Sequence, residues 1–276
     1  MNYKMILPGV NVRMGAIPGF TALPACSTEK WQANQNEILL QADGVGAFYV
    51  RNGNEVIYSV EEGADPDWVN LYLNGQVLVA LLHQRNMISF HASSFVYDGI
   101  GVMILGESGA GKSSLAVAFA LKGAELLTDD ITPVFFRNSV LHIMPLHGEV
   151  RIRRHTVEEL KIGSERLREA ESGTGKQYLR VGRTGMEDYP LHVILKIEAG
   201  EVLHPVFKEP LLAEKFSSLR SEICMSGILA GMPVTEAEYL QQLLHIIERI
   251  RFVRVVRPTN IRITDLYHRI TQYLGA

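Results

Sequence analysis

Residues Gly106-Glu-Ser-Gly-Ala-Gly-Lys-Ser113 carry the spacing G-x-x-x-x-G-K-[ST] of a phosphate-binding loop. Backbone N–H groups can converge on phosphate oxygens only where side chains leave room. Gly106, Gly109 and Gly111 supply that room, with Glu107, Ser108 and Ala110 between them. In such a loop Lys112 reaches the outer phosphates and the Ser113 hydroxyl sits on Mg2+, and Ser114 completes the nucleotide-binding stretch. The flanks agree with this reading. Gly101-Val-Met-Ile-Leu105 is a short apolar run that reads as a buried strand, and residues 113–122 read as a helix that ends at Gly123. Strand, glycine loop and helix N-terminus together form an anion site. The bare pattern also occurs in glycine-rich structural loops, so the neighbouring residues decide its meaning.

Ile88-Ser-Phe-His-Ala-Ser-Ser-Phe-Val96 leads through the turn Tyr97-Asp-Gly-Ile100 into the strand before the loop, which predicts a hairpin and a mixed sheet. Asp129 and Asp130 follow the apolar run after the loop's helix. A phosphoryl-transfer site needs carboxylates for Mg2+ and a group that takes the acceptor's proton, and two adjacent acids permit both roles. Asp is also common in turns. His91 stands in the strand feeding the loop, where a lone histidine is either structural or a phosphate neighbour. Within Pro145-Leu-His-Gly-Glu-Val-Arg-Ile-Arg-Arg-His155, Glu149 could order a metal. Arg151, Arg153 and Arg154 could clamp a phosphate or an acidic acceptor, or simply form the solvated face of a strand.

Further out, 37–41, 46–50 and 55–60 read as strands, with a hairpin turn at Arg51-Asn-Gly-Asn54. One helix is expected through 68–82 from a start at Pro66-Asp67, weakened at Gly75, with Trp68, Leu71 and Leu73 as core. Residues 131–136 and 140–144 read as a second hairpin, 190–197 as a strand with 202–207 as a neighbour, 252–256 as a strand, and 263 onward as a final helix. Thr156 with Glu159, and Thr235 with Glu238, have capping-box spacing. Residues 155–190 are polar and partly helical, and Glu171-Ser-Gly-Thr-Gly-Lys176 reads as a surface loop. The expected division is a β-rich region over 1–87 with one helix and an α/β catalytic domain with a mixed sheet over 88–276.

The 276-residue chain has ordinary globular proportions, 47% hydrophobic and 21% charged, and a net charge of −3 that argues against a nucleic-acid footprint. Its two cysteines, Cys26 and Cys224, form no metal spacing, so a reduced cytoplasmic protein is the simple reading. No signal-peptide h-region and no apolar run of membrane-spanning length is present, so no membrane partner is expected. Neither an Asn-Lys-x-Asp guanine signature nor a coherent helicase motif set occurs.

The linked motifs, His91-Ala-Ser-Ser-Phe-Val-Tyr-Asp-Gly-Ile-Gly-Val-Met-Ile-Leu-Gly-Glu-Ser-Gly-Ala-Gly-Lys-Ser113 followed by Gly123, Leu127-Thr-Asp-Asp130 and Glu149-Val-Arg151, resemble the catalytic domain of HPr kinase/phosphorylase over about residues 88–155. That family is related in fold to phosphoenolpyruvate carboxykinase. The resemblance implies a P-loop kinase core that uses ATP and Mg2+. It implies that Asp130 accepts the proton of a serine hydroxyl and returns it in the reverse direction. It implies that Asp129 and Glu149 order Mg2+ with Ser113, that His91 lies on the phosphate side, and that Arg151 binds or orients phosphate. The acceptor it implies is a peptide or protein bearing Ser, and it leaves a homo-oligomer open. Ser114 stands where the family usually has Glu, Arg151 is followed by Ile-Arg-Arg where the family is glycine-rich, and the N-terminal region is short. These departures point to the divergent HPr-kinase-like proteins, some of which phosphorylate a precursor peptide, including the C-terminal Ser of lasso peptide precursors. A kinase for a small molecule such as free serine, and a nucleotide-binding regulatory module without transfer, are the alternative readings.

Overall fold

A computed structural model describes residues 5–146, 149–170, 174–181 and 187–275. His147 and Gly148 of the charged stretch, and Glu171 to Gly173 of the expected surface loop, lie outside the described residues. The chain forms two compact units, Met1–Ser89 with Ile223–Leu244, and Phe90–Glu222 with His245–Ala276. The first unit thus includes a late segment, 223–244, that a single division at 87/88 does not contain.

In the first unit, β1 (Asn11–Met14), β2 (Cys26–Ser27), β3 (Trp31–Ala33), β4 (Glu37–Ala42), β5 (Gly46–Arg51) and β6 (Glu55–Val60) form one sheet in the order β1-β6-β5-β4-β3-β2. All neighbours are antiparallel except the β1–β6 pair. Alternating apolar residues bury one face, through Ile38, Leu40, Phe48, Val50, Val56 and Tyr58. The β5–β6 hairpin turns at Asn52 and Gly53, both at positive φ (52° and 69°), as its Asn-Gly pair predicts. The helix expected through 68–82 is interrupted. α1 (Pro66–Tyr72), capped by the Asp65 side chain, passes through a π turn at Leu73–Val77 into α2 (Leu78–Gln84). Gly75 lies in that turn, where the wider turn re-phases the chain so that Leu73, Val77 and the run Leu78–Leu82 are all buried. Leu73 is core as expected, while Trp68 and Leu71 are half-buried.

Glu37 and His83 are buried ionisable groups of this unit. The Glu37 carboxylate accepts from the Tyr49 hydroxyl, the Thr21 and Ala22 N–H groups and the Asn34 amide. Burial raises its pKa, but these donors outweigh that effect and hold it at about 2. The His83 ring is fully buried, with Nδ1 3.1 Å from the Tyr239 hydroxyl and Nε2 3.0 Å from the Cys224 carbonyl oxygen. Burial pushes its pKa down to about 4, so the ring is neutral and donates from Nε2 to the Cys224 carbonyl.

The second unit is built on a mixed sheet. The elements from Ser89 onward run β7 (Ser89–Phe90), β8 (Ser93–Tyr97), β9 (Ile100–Leu105), α3 (Lys112–Leu121), β10 (Glu125–Thr128), β11 (Thr132–Arg137), β12 (Val140–Ile143), β13 (Glu149–Arg153), α4 (Arg154–Leu160), β14 (Leu167–Glu169), β15 (Lys176–Arg180), β16 (Tyr189–Pro190), β17 (Val193–Gly200), β18 (Val206–Lys208), α5 (Leu212–Ser221), α6 (Pro233–Arg249), of which residues up to 244 belong to the first unit, β19 (Arg251–Pro258) and α7 (Ile263–Leu274). The central sheet has the order β10-β8-β9-β17-β19-β18, with β9, β17 and β19 parallel and the other pairs antiparallel. A smaller sheet has the order β16-β12-β11-β7, and β13, β15 and β14 form a three-stranded one. The fold class is mixed α/β, with both expected hairpins present.

α3 and α7 cover one face of the central sheet. Val102, Ile104, Leu195, Ile197, Val253 and Val255 meet Leu115, Phe119, Leu266 and Ile270 in one core. Phe119 has rings of Phe95, Tyr97 and Tyr267 at 4.3, 5.2 and 4.7 Å between centroids. Truncating such a fully buried ring costs about 3–5 kcal/mol. Three expectations are corrected. β18 pairs with β19, so the neighbour of β17 on that side is β19 and not 202–207. The strand expected over 190–197 is two, because Pro190 ends β16 against β12 before β17 begins. Neither capping box forms, because α4 and α6 begin two residues before the threonines. Thr156 bonds Ser114, Glu159 accepts from the Ile263 N–H, and Thr235 bonds Asn86 and Gln35.

Among the described residues, no helix is long and apolar enough to cross a membrane. The depressed His83 pKa fixes a sign for stability. The folded state resists protonation, so the stability it retains above the unfolded pKa of 6.5 is lost as pH falls towards about 4. Urea unfolding across that window should show a loss of roughly 3 kcal/mol attributable to this group. His83→Phe should flatten that slope, and an unchanged slope would refute the assignment.

Candidate active site

The loop between β9 and α3 is shaped by its glycines. Gly106, Gly109 and Gly111 have φ of 148°, 87° and 102°, backbone that side-chain-bearing residues rarely adopt. At Gly106 a Cβ would also fall 2.4 Å from the Ile197 carbonyl oxygen of the neighbouring strand. Gly111 is the N-cap of the ten-residue α3, so the loop delivers its amides at a helix N-terminus. Lys112 is buried, and its Nζ donates to the Gly106 carbonyl at 2.6 Å and the Glu107 carbonyl at 3.4 Å. Two ties that sequence did not announce fix the loop. Arg257, at the end of β19, donates from Nε to the Ala110 carbonyl at 3.1 Å. Ser114 and Thr156 join hydroxyls at 2.8 Å, linking the first turn of α3 to α4.

Asp129 and Asp130 occupy the connection from β10 to β11. The Ile131 N–H donates to the Asp129 carbonyl at 2.8 Å, closing a three-residue turn with Asp130 at its centre and a φ of 66°. A γ-turn with positive φ at a side-chain-bearing residue is strained and persists only where its surroundings over-determine it. The surroundings here are buried hydroxyls. Ser94 and Thr128 lie 2.6 Å apart, Thr128 and Thr132 lie 2.6 Å apart, and Thr132 donates to the Ala92 carbonyl at 3.0 Å. Thr128 thus pins one side of the turn to β8, and Thr132 pins the other to the residue before that strand.

The two acids have different environments. Asp129 is buried, and its carboxylate accepts from the Ser93 hydroxyl at 2.5 Å, the Ser113 hydroxyl and the Arg151 N–H. Burial first, and then the charge of Asp130, raise its pKa against those donors. Asp130 is 43% exposed at its side chain, with Oδ1 3.8 Å from His91 Nε2. Burial and the Lys112 charge lower the His91 pKa, which favours a neutral ring. The His91 N–H is held by the Glu222 carbonyl at 2.7 Å. Glu222 is itself largely buried, and burial raises its pKa against the pull of Lys112 and Lys196.

These groups face a cleft of about 340 Å3. Lys112, Ser113, Ser114, His91, Asp130 and Arg151 line it together with Glu107, Ser108, Gly109 and Gly111. Gly106 and Ala110 shape the loop from outside that lining, and Asp129 lies beneath it on Ser113. Glu149 is not in the lining, and its carboxylate lies 3.5 Å from Arg168. Sequence reasoning gave Lys176, Thr156 and His155 no part in the cleft, and it missed Ser93, Glu222 and Arg257 around it. Thr156 was read as a cap and Lys176 as part of a surface loop, and nothing about Arg257 in Phe-Val-Arg-Val-Val-Arg-Pro258 marks it as a loop partner.

The donor set fits Mg2+. Ser113 and Asp129 offer a hydroxyl and a buried carboxylate whose charge the surroundings disfavour, and Mg2+ takes one or two such oxygens besides phosphate and water. Among the described residues, no group of three or more His, Cys, Asp or Glu could hold a metal.

No protein-family model and no curated protein matches the chain. Among solved structures, the HPr(Ser) kinase/phosphatase from Coxiella burnetii is similar at 16% identity and a TM-score of 0.37, over 67% of this chain and 95% of that one.

Two outcomes follow from the loop and the buried acid. Gly106→Ala should lower the melting temperature by the equivalent of about 1–3 kcal/mol, because the new Cβ meets backbone at a strained φ. Asp129 has a raised folded pKa, so its contribution to stability is present below the unfolded pKa of 3.8 and is lost as pH rises through the folded value. Asp129→Asn should therefore raise the melting temperature at pH 8, by on the order of 1 kcal/mol. A variant less stable at pH 8 than the parent would contradict the burial argument.

Proposed function

We propose that the protein is an ATP phosphotransferase that phosphorylates a serine hydroxyl of a peptide or protein, with Mg2+ as cofactor. The observation that carries this reading is Asp130, a solvent-reaching carboxylate held in a strained turn at the mouth of the cleft that the phosphate loop lines. A module that only binds nucleotide has no need of strain at that position.

In this reading the loop amides and Lys112 hold the donor phosphates. Ser113 and Asp129 hold Mg2+, which when bound neutralises phosphate charge. Asp130 accepts the proton of the serine hydroxyl as its oxygen forms the bond to the γ-phosphorus. The bond from that phosphorus to the β,γ-bridging oxygen breaks, and ADP leaves with the electron pair. The His91 ring, kept neutral, adds no cation of its own beside Asp130, and Arg151 faces the transferred group from the cleft wall. A ribosomal precursor peptide is the finer form of the acceptor.

Incubation with labelled ATP, Mg2+ and serine-bearing peptides should give phosphopeptide. Asp130→Asn should reduce kcat by about 10²–10⁴-fold with nucleotide affinity retained. Transfer at the parental rate in that variant would remove Asp130 from the role of base. Turnover on free serine but on no peptide would shift the assignment to a small-molecule kinase.

A further inference from the structure

The three-stranded sheet that walls the cleft has two unlike faces. Val150, Ile152 and Leu179 are buried in the core on one side. The register sets Arg151 opposite Tyr178, Arg153 opposite Lys176 and Arg168 opposite Tyr178. Directly opposed residues share a face, so the outward face carries Arg151, Arg153, Lys176, Arg168 and Arg180 around one aromatic ring, with the single acid Glu149 paired to Arg168 at 3.5 Å. The guanidinium carbons of Arg168 and Arg151 lie 4.3 and 6.0 Å from the centre of that ring. Like charges directly opposed across two strands are destabilising, and Arg153 faces Lys176 in a chain whose net charge is −3. A concentration of cations on one small face, against the balance of the whole chain, fits an anion that binds there.

The donor's phosphates already have the loop amides and Lys112. Arg151, Arg153 and Lys176 line the same cleft as Asp130. Arg151 and Arg153 are alternate residues of one strand and so stand about 7 Å apart, which is the repeat of alternate side chains in an extended peptide. We infer that this face is the acceptor subsite and that it takes an extended acidic peptide, with carboxylates on alternate residues beside the serine. The inference rests on the phosphotransferase reading and names the acceptor's chemistry within it.

The test uses the whole chain with Mg2+ and a non-hydrolysable ATP analogue. The probes are a fluorescent peptide with one serine flanked by Glu and Asp, and the same peptide with Gln and Asn in their place. The acidic peptide should bind at least about tenfold tighter, roughly 1.4 kcal/mol, with a preference that falls as salt rises. Arg153→Gln with Lys176→Gln should erase the preference, leave the analogue's affinity within about twofold, and leave the melting temperature unchanged or higher, because the opposed cations are gone. Equal binding of the two peptides by the parent would overturn the inference. So would loss of analogue affinity in the variant, which would give the cations to the donor, or displacement of the peptide by citrate as readily as by unlabelled peptide, which would make the ligand a small anion. Failure of the parent to bind the analogue counts instead against the phosphotransferase reading, since the comparison of peptides does not depend on it.

Discussion

The Asp129 carboxylate is the point on which the site depends. Its oxygens receive the Ser93 hydroxyl from β8, the Ser113 hydroxyl from the first turn of α3, and the Arg151 N–H from β13. A buried carboxylate without donors is expensive, so each of the three segments is drawn to a fixed place around it. The strand feeding the loop, the helix leaving it and the cationic wall are thereby referred to one group. The raised pKa is the mark of that arrangement, since three neutral donors do not fully replace water or a cation.

Asp130 depends on this neighbour. With Asp129 buried and anchored, the chain has one residue in which to reverse direction towards β11, and the γ-turn places the Asp130 side chain outward at the cleft. The hydroxyls of Ser94, Thr128 and Thr132 hold both ends of the turn, so the strain is met by buried hydrogen bonds close to it. The adjacent acids thereby differ in burial because they differ in backbone.

Much of this arrangement was legible in the sequence because it is local. The phosphate loop, the β8–β9 hairpin and the acid pair each announce themselves within a few residues through glycine, turn chemistry and apolar runs. Features that depend on distant partners were not legible. Thr156 and Thr235 have the spacing of caps, yet their hydroxyls meet Ser114, and Asn86 with Gln35, so tertiary bonds displaced the local ones. Gly75 signals a weakness in a helix but not that the weakness becomes a π turn, which follows from burying Leu73 and Val77 together with the run after them. The charge of the 149–153 strand was visible. That Lys176 stands opposite Arg153 depends on a strand pairing that no local pattern encodes. Glu149, expected among the metal ligands, lies outside the cleft lining beside Arg168.

The hydroxyl chain from Ser94 through Thr128 and Thr132 to the Ala92 carbonyl has a property that the acids lack. Its one fixed acceptor at the end gives the chain a single direction of donation, from Ser94 towards Ala92. None of its members titrates in the range where His91, Asp129 and Glu222 change charge. These three hydroxyls therefore hold the turn by bonds that do not ionise, beside an Asp129 anchor that does. A pH change that alters the charge of His91 or Glu222 leaves the three hydroxyl bonds in place, whereas protonation of Asp129 acts on the anchor itself.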